Sequence, residues 1–144
     1  MILTDLAATG AAGEKLAKAL RAGDVVTLSG PLGVGKTALA RAILAGLGHQ
    51  GDVPSPTFAI VQPYEALSPP VWHADLYRID DPSELAELGL DMADDGVLLV
   101  EWPEQAGEGA WPEALRLVLD FAPDGARRLT AEVPPSWQSR WPFQ

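Results

Sequence analysis

Apolar residues fall in short, separated runs along the chain, and the spacing inside each run distinguishes helix from strand. Ala12, Leu16, Ala19 and Leu20 recur at helical intervals between Thr9 and Arg21, and Gly23 ends that run. Asp24 to Ser29 follows as an apolar strand. A second helical pattern runs from Thr37 to Leu47, with Leu39, Ile43, Leu44 and Leu47 on one stripe, and Gly48 and Gly51 bracket the loop after it. Phe58 to Tyr64 reads as a strand whose Pro63 puts it at a sheet edge, because proline cannot donate to a ladder. Val71 to Asp75 is a further short strand after the Ser68-Pro69-Pro70 turn, and Asp81 to Leu88 is a short helix stopped by Gly89. Val97 to Val100 is a continuous apolar run, the pattern of a strand buried on both faces. Leu115 to Phe121 and Arg127 to Val133, joined by Ala-Pro-Asp-Gly, predict a terminal hairpin, and Ile2-Leu3 a short strand or lead-in. Pro134 to Gln144 has no periodicity, which predicts a tail along the surface or partly disordered, after a single domain over residues 1–133.

This order of elements predicts a mixed sheet with helices on its faces, a three-layer α/β fold ending in an antiparallel hairpin. The first buried strand and second helix are joined by Gly30-Pro31-Leu32-Gly33-Val34-Gly35-Lys36-Thr37, a complete G-x-x-x-x-G-K-[ST] phosphate-binding loop. The glycines let the backbone curl so that successive N–H groups face phosphate oxygens. Lys36 can reach the β- and γ-phosphates, and the Thr37 hydroxyl can ligate Mg²⁺. The positive end of the helix beginning near Thr37 and Ala38 favours an anion at the same place. With only three lysines in the chain, the pattern arises by chance in roughly 0.2% of shuffles of this composition. A nucleoside triphosphate is the expected ligand.

A triphosphate site also needs an acid at the end of a neighbouring buried strand to hold Mg²⁺ directly or through water. Glu101 follows the run Val97 to Val100, and Asp75 ends the strand at residues 71–75, so both are candidates. The apolar run favours Glu101 for the cation and leaves Asp75 to orient water or a switch element. His73 reads first as a strand-face histidine with a satisfied hydrogen bond, and Trp102 first as a packing residue, which beside Glu101 could also serve as a stacking platform. Ser55-Pro56-Thr57-Phe58 lies where many phosphate-loop proteins carry a loop sensing the γ-phosphate, although Ser-Pro-Thr is also common turn chemistry.

Composition narrows the picture. A chain of 144 residues is one domain, and no stretch approaches the roughly 18 apolar residues of a membrane span. The start, Met-Ile-Leu-Thr-Asp-Leu-Ala, lacks a basic n-region and h-region. The absence of cysteine excludes a disulfide framework and thiolate chemistry, and a cytoplasmic home is the simplest expectation. The formal charge of −10 argues against direct nucleic-acid binding, which draws its affinity from phosphate neutralisation by a basic face. Any role in nucleic-acid metabolism is expected to run through a protein partner. A small-molecule kinase would add an arginine-bearing lid, whereas the seven arginines here are scattered from Arg21 to Arg140.

The phosphate loop, Ser55-Pro56-Thr57-Phe58, His73-Ala74-Asp75-Leu76-Tyr77-Arg78 and Glu101-Trp102-Pro103-Glu104 occur in an order and spacing that resembles the small bacterial ATPase family TsaE, also called YjeE. The resemblance runs from about Thr9 to Arg128. The loop is shared by many unrelated proteins; the His-x-Asp-Leu-Tyr-Arg block and the Glu-Trp pair are narrower. The resemblance implies a cytoplasmic P-loop ATPase, slow alone, in the synthesis of threonylcarbamoyladenosine at position 37 of tRNA. It implies as partners the threonylcarbamoyl transferase and its paralogous partner subunit, whose turnover the ATP cycle supports. It further implies Lys36 on the phosphates, Thr37 and Glu101 on Mg²⁺, Asp75 needed for hydrolysis, Thr57 in a switch-like loop, and Trp102 beside the nucleotide. The adenine is expected against an N-terminal lead-in around Leu6 to Thr9, with Arg127 approaching from the hairpin. A nucleotide-dependent binding switch with incidental hydrolysis uses the same parts and is the alternative.

Overall fold

The computed structural model describes residues 1–51, 53, 61–81, 83–84, 95–107 and 109–143. In chain order the elements are β1 (Ile2–Leu3), α1 (Leu6–Ala19), β2 (Val25–Ser29), α2 (Lys36–Gly46), β3 (Val61–Tyr64), β4 (Val71–Asp75), β5 (Val97–Glu101), β6 (Leu115–Phe121) and β7 (Arg127–Glu132). The strands form one seven-stranded sheet in the order β1-β7-β6-β2-β5-β4-β3. The four inner strands β6, β2, β5 and β4 are parallel, and both flanks are antiparallel. β2, the strand that leads into the phosphate loop, therefore lies at the centre of the parallel core.

Alternation along the strands divides the core in two. Val26, Leu28, Val97, Leu99, Leu115, Leu117 and Leu119 pack with Leu16, Leu39, Ile43 and Leu44 of the two helices. Leu98 and Val100 point the other way and join Ala74, Leu76, Ile79 and Ala106, with Trp72, Trp102 and Trp111 against them. β5 is buried at every position, as its uninterrupted apolar run predicts. β3 is the outermost strand beside β4, consistent with Pro63; residues 58–60 of the expected strand lie outside the described residues.

α1 begins three residues before the predicted start. Its N-cap is Asp5, whose Oδ1 accepts the Ala8 N–H at 2.8 Å, satisfying a helix-terminal donor that has no partner within the helix. The lead-in around Leu6 to Thr9 is thus itself the first turn of a helix. At residues 81–84, Asp81 Oδ1 accepts the Ser83 N–H and its carbonyl accepts the Glu84 N–H, opening a helical turn. The rest of that expected helix, including Gly89, lies outside the described residues.

The segment after β7 is not laid loosely on the surface. A turn at Pro135–Trp137 drives the Trp137 ring into the core, 1% exposed. The Arg140 guanidinium lies 4.1 Å from that ring's centroid. It donates to both oxygens of Asp24 at 2.6 and 2.7 Å and to the Ala19 carbonyl at 2.7 Å. The tail thereby caps the end of α1 and the approach to β2. Composition without periodicity hid this, because the Arg140 bonds depend on partners more than a hundred positions away.

Candidate functional site

The phosphate loop turns from the end of β2 into α2 under tight backbone constraints. Gly30 has φ +146°, and a Cβ there would run into the Leu119 carbonyl of β6. Gly35, at φ +113°, is the N-cap of α2 in the left-handed region that a side chain disfavours. Arg127 reaches across from β7 and donates from Nε to the Val34 carbonyl at 2.8 Å, tying the loop to the hairpin.

Lys36 is buried at the first turn of α2. Its ammonium donates to the carbonyls of Gly30 at 2.5 Å and Pro31 at 3.0 Å and lies 4.1 Å from the Trp102 ring centroid. Burial pushes its pKa below the ordinary lysine value, against the opposing pull of Glu101, Glu104 and Asp75. Trp102 itself has φ +60° and ψ +50°, a strained conformation for so large a residue. Its N–H donates to the Leu28 carbonyl at 3.3 Å, and its ring meets Tyr77 with centroids 4.8 Å apart.

The two acids expected from the sequence come together here. Parallel pairing of β4 with β5 sets Asp75 beside Glu101. Glu101 is buried, and its Oε1 accepts the Thr37 hydroxyl at 2.8 Å while Oε2 lies 2.6 Å from His73 Nε2. Asp75 is buried too, and its Oδ1 accepts the Tyr77 N–H at 2.9 Å. A hydroxyl touching a carboxylate, with a second carboxylate on the next strand, is a hard oxygen set suited to Mg²⁺. Among the described residues no three of His, Cys, Asp and Glu converge as a protein-only metal site. Mg²⁺ at phosphate sites takes one or two protein ligands and draws the rest from phosphate and water, so the Thr37–Glu101 pair fits it.

On the far side of the loop a cavity of about 330 Å³ is lined by Leu6, Thr9, Gly33, Val34, Ala38 and Arg127 among others. The residues expected around a nucleobase thus share one recess, reached from Leu6 and Thr9 on α1. Leu32 is exposed at the loop tip. Thr57 and its neighbours 55, 56 and 58 lie outside the described residues. The tie between His73 and Glu101 has no contiguous motif in the sequence. The signal lay in the alternation, since His73 and Asp75 are two apart on one strand and share a face.

A central parallel strand, a glycine-rich turn around a buried lysine, and an adjoining threonine–carboxylate pair define a phosphate-loop α/β protein. A model of the family described as "Threonylcarbamoyl adenosine biosynthesis protein TsaE" matches residues 3–129. The chain belongs to the TsaE family. It is 46% identical over 114 residues to the protein named "tRNA threonylcarbamoyladenosine biosynthesis protein TsaE" in Streptomyces coelicolor, covering 76% of this chain and 77% of that one. It is 45% identical over 103 residues to the Haemophilus influenzae protein of the same name, covering 69% of this chain and 65% of that one. The crystal structure of YdiB from Bacillus subtilis superimposes with a TM-score of 0.81 at 31% identity, over 96% of this chain and 87% of that one.

Proposed function

We propose that this chain binds and hydrolyses ATP with Mg²⁺, and that its ATP cycle supports the enzyme complex that makes threonylcarbamoyladenosine at position 37 of tRNA. The names of its relatives support the pathway, and the Thr37–Glu101 contact beside the buried Lys36 carries the nucleotide reading. In this reading the Lys36 ammonium exchanges the Gly30 and Pro31 carbonyls for β- and γ-phosphate oxygens. Thr37 and Glu101 hold Mg²⁺, which when bound neutralises charge on the phosphates. Asp75 orients the attacking water, Trp102 walls the phosphate side, and the recess beside Arg127 takes the adenine.

Arg78 could serve as a transition-state finger, a salt-bridge contact being the equal alternative for it, and hydrolysis by the isolated chain is expected to be slow. The partner is the threonylcarbamoyl transferase with its paralogous subunit; with a formal charge of −10, the chain meets that complex rather than gripping RNA. Hydrolysis assays with and without the transferase pair test this. A rate that rises when the pair is added is expected, and a rate indifferent to the pair overturns the coupling. Calorimetry in which the folded chain takes up neither ATP nor ADP overturns the nucleotide reading itself.

A further inference from the structure

We infer that His73 is a positioning residue: it fixes the plane of the Glu101 carboxylate at which, together with Thr37, a divalent cation is met. The inference rests on the nucleotide reading above. His73 stands in the middle of β4, opposite Leu99 of β5 and fully buried. Its Nε2 lies 2.6 Å from Glu101 Oε2, while Nδ1 is buried with no hydrogen-bond partner.

These two facts fix the proton. The Glu101 carboxylate only accepts, so the hydrogen of the short contact sits on Nε2. A hydrogen on Nδ1 would be a buried donor without an acceptor, which is costlier than a bare lone pair there. The ring thus carries a hydrogen on Nε2, aimed at one carboxylate oxygen. Thr37 holds the other oxygen at 2.8 Å. One hook alone lets a carboxylate turn about its last carbon–carbon bond. Two hooks from opposite sides, one on α2 and one on β4, set its plane and leave a lone pair on each oxygen for a cation or its water.

A merely structural role explains the arrangement less well. Val71 and Leu99 are both fully buried on the same face, and a leucine would fill the space between them without leaving a nitrogen unpaired. The unpaired Nδ1 is a cost that only the contact at Glu101 offsets. Partners that orient metal ligands in this way shape metal affinity without touching the metal.

The test compares the wild type with His73→Leu, which removes the donor, and His73→Gln, whose amide N–H stands near the position of Nε2. Mn²⁺ uptake by the protein–ADP complex is followed by electron paramagnetic resonance, and ADP affinity is measured separately in EDTA. For His73→Leu the Mn²⁺ dissociation constant is expected to rise roughly 10- to 100-fold, with metal-free ADP affinity within about two-fold of wild type and most of the loss recovered in His73→Gln. Unchanged Mn²⁺ affinity in His73→Leu overturns the inference, as does equal loss in the two variants. Should either variant fail to fold, ¹⁵N spectra of the wild-type imidazole decide: a proton on Nε2 is expected, and one on Nδ1 overturns it. A wild-type chain that binds no ADP is a different failure, because it removes the nucleotide reading rather than the role of His73.

Discussion

Lys36 carries an ammonium that the fold has removed from water and turned onto two carbonyls of its own loop. A charge-assisted contact to phosphate is worth about 1.5–3 kcal/mol, so Lys36→Met is expected to weaken ATP binding by roughly 10- to 100-fold in calorimetry. The same substitution should leave the melting temperature unchanged or raised, because a buried methionine carries no desolvated charge. The pH dependence has a definite sign. The folded-state pKa lies below the ordinary 10.5, so just below that value the folded chain binds fewer protons than the unfolded one. The contribution of this group to stability therefore rises with pH in that window. Denaturant titrations across it should show a slope that Lys36→Met removes. The loop's glycine turn and the lysine at the start of α2 were legible in the sequence, because their spacing alone sets that turn. His73 was not, since its value depends on which strand lies beside β4.

At the scale of elements, the two helices approach closely through glycine. A Cβ on Gly13 of α1 would collide with Ala42 of α2, and one on Gly46 of α2 would lie 2.7 Å from the Ala17 Cβ. Gly13→Ala is expected to cost about 1–3 kcal/mol through overpacking, less up to about 1 kcal/mol gained in helix propensity. Gly10 in the same helix meets nothing within 4 Å. Gly10→Ala is accordingly expected to stabilise by up to about 1 kcal/mol. Urea unfolding of the two variants gives opposite signs if helix contact, and not propensity, governs Gly13. Hydrophobic periodicity located both helices and the strands β4 to β7 to within a residue or two at most ends. It missed the start of α1 because a cap at Asp5 lies outside any apolar repeat. Edge and centre were legible where chemistry marks them, in Pro63 on β3 and the uninterrupted apolar β5.

Across the whole molecule, the segment after β7 is the feature composition described least well. Trp137 is almost fully buried, and Arg140 closes over it onto Asp24. Trp137→Ala is expected to destabilise by about 3–5 kcal/mol, the usual range for emptying a buried aromatic site, measurable as a lower denaturation midpoint. Arg140→Ala should also destabilise, by stranding the largely buried Asp24 carboxylate. Arg140 is anchored at Ala19 and Asp24, at the opposite end of β2 from the phosphate loop, so metal-free ADP affinity of the folded fraction is expected to stay near wild type in Arg140→Ala.

The sheet joins the two extremes of the chain: β1 pairs with β7, and the Leu129 N–H reaches the Met1 carbonyl at 2.8 Å. β2, which carries the loop, is flanked on one side by β6, whose Leu119 carbonyl is packed against Gly30. During synthesis on a ribosome, residues 30–37 emerge early yet lack this wall until β6 has cleared the exit tunnel. Pairings of such long sequence separation also form slowly. A nascent chain of this protein therefore carries residues 30–37 long before their wall exists, and the loop takes its folded form only once β6 has joined the sheet.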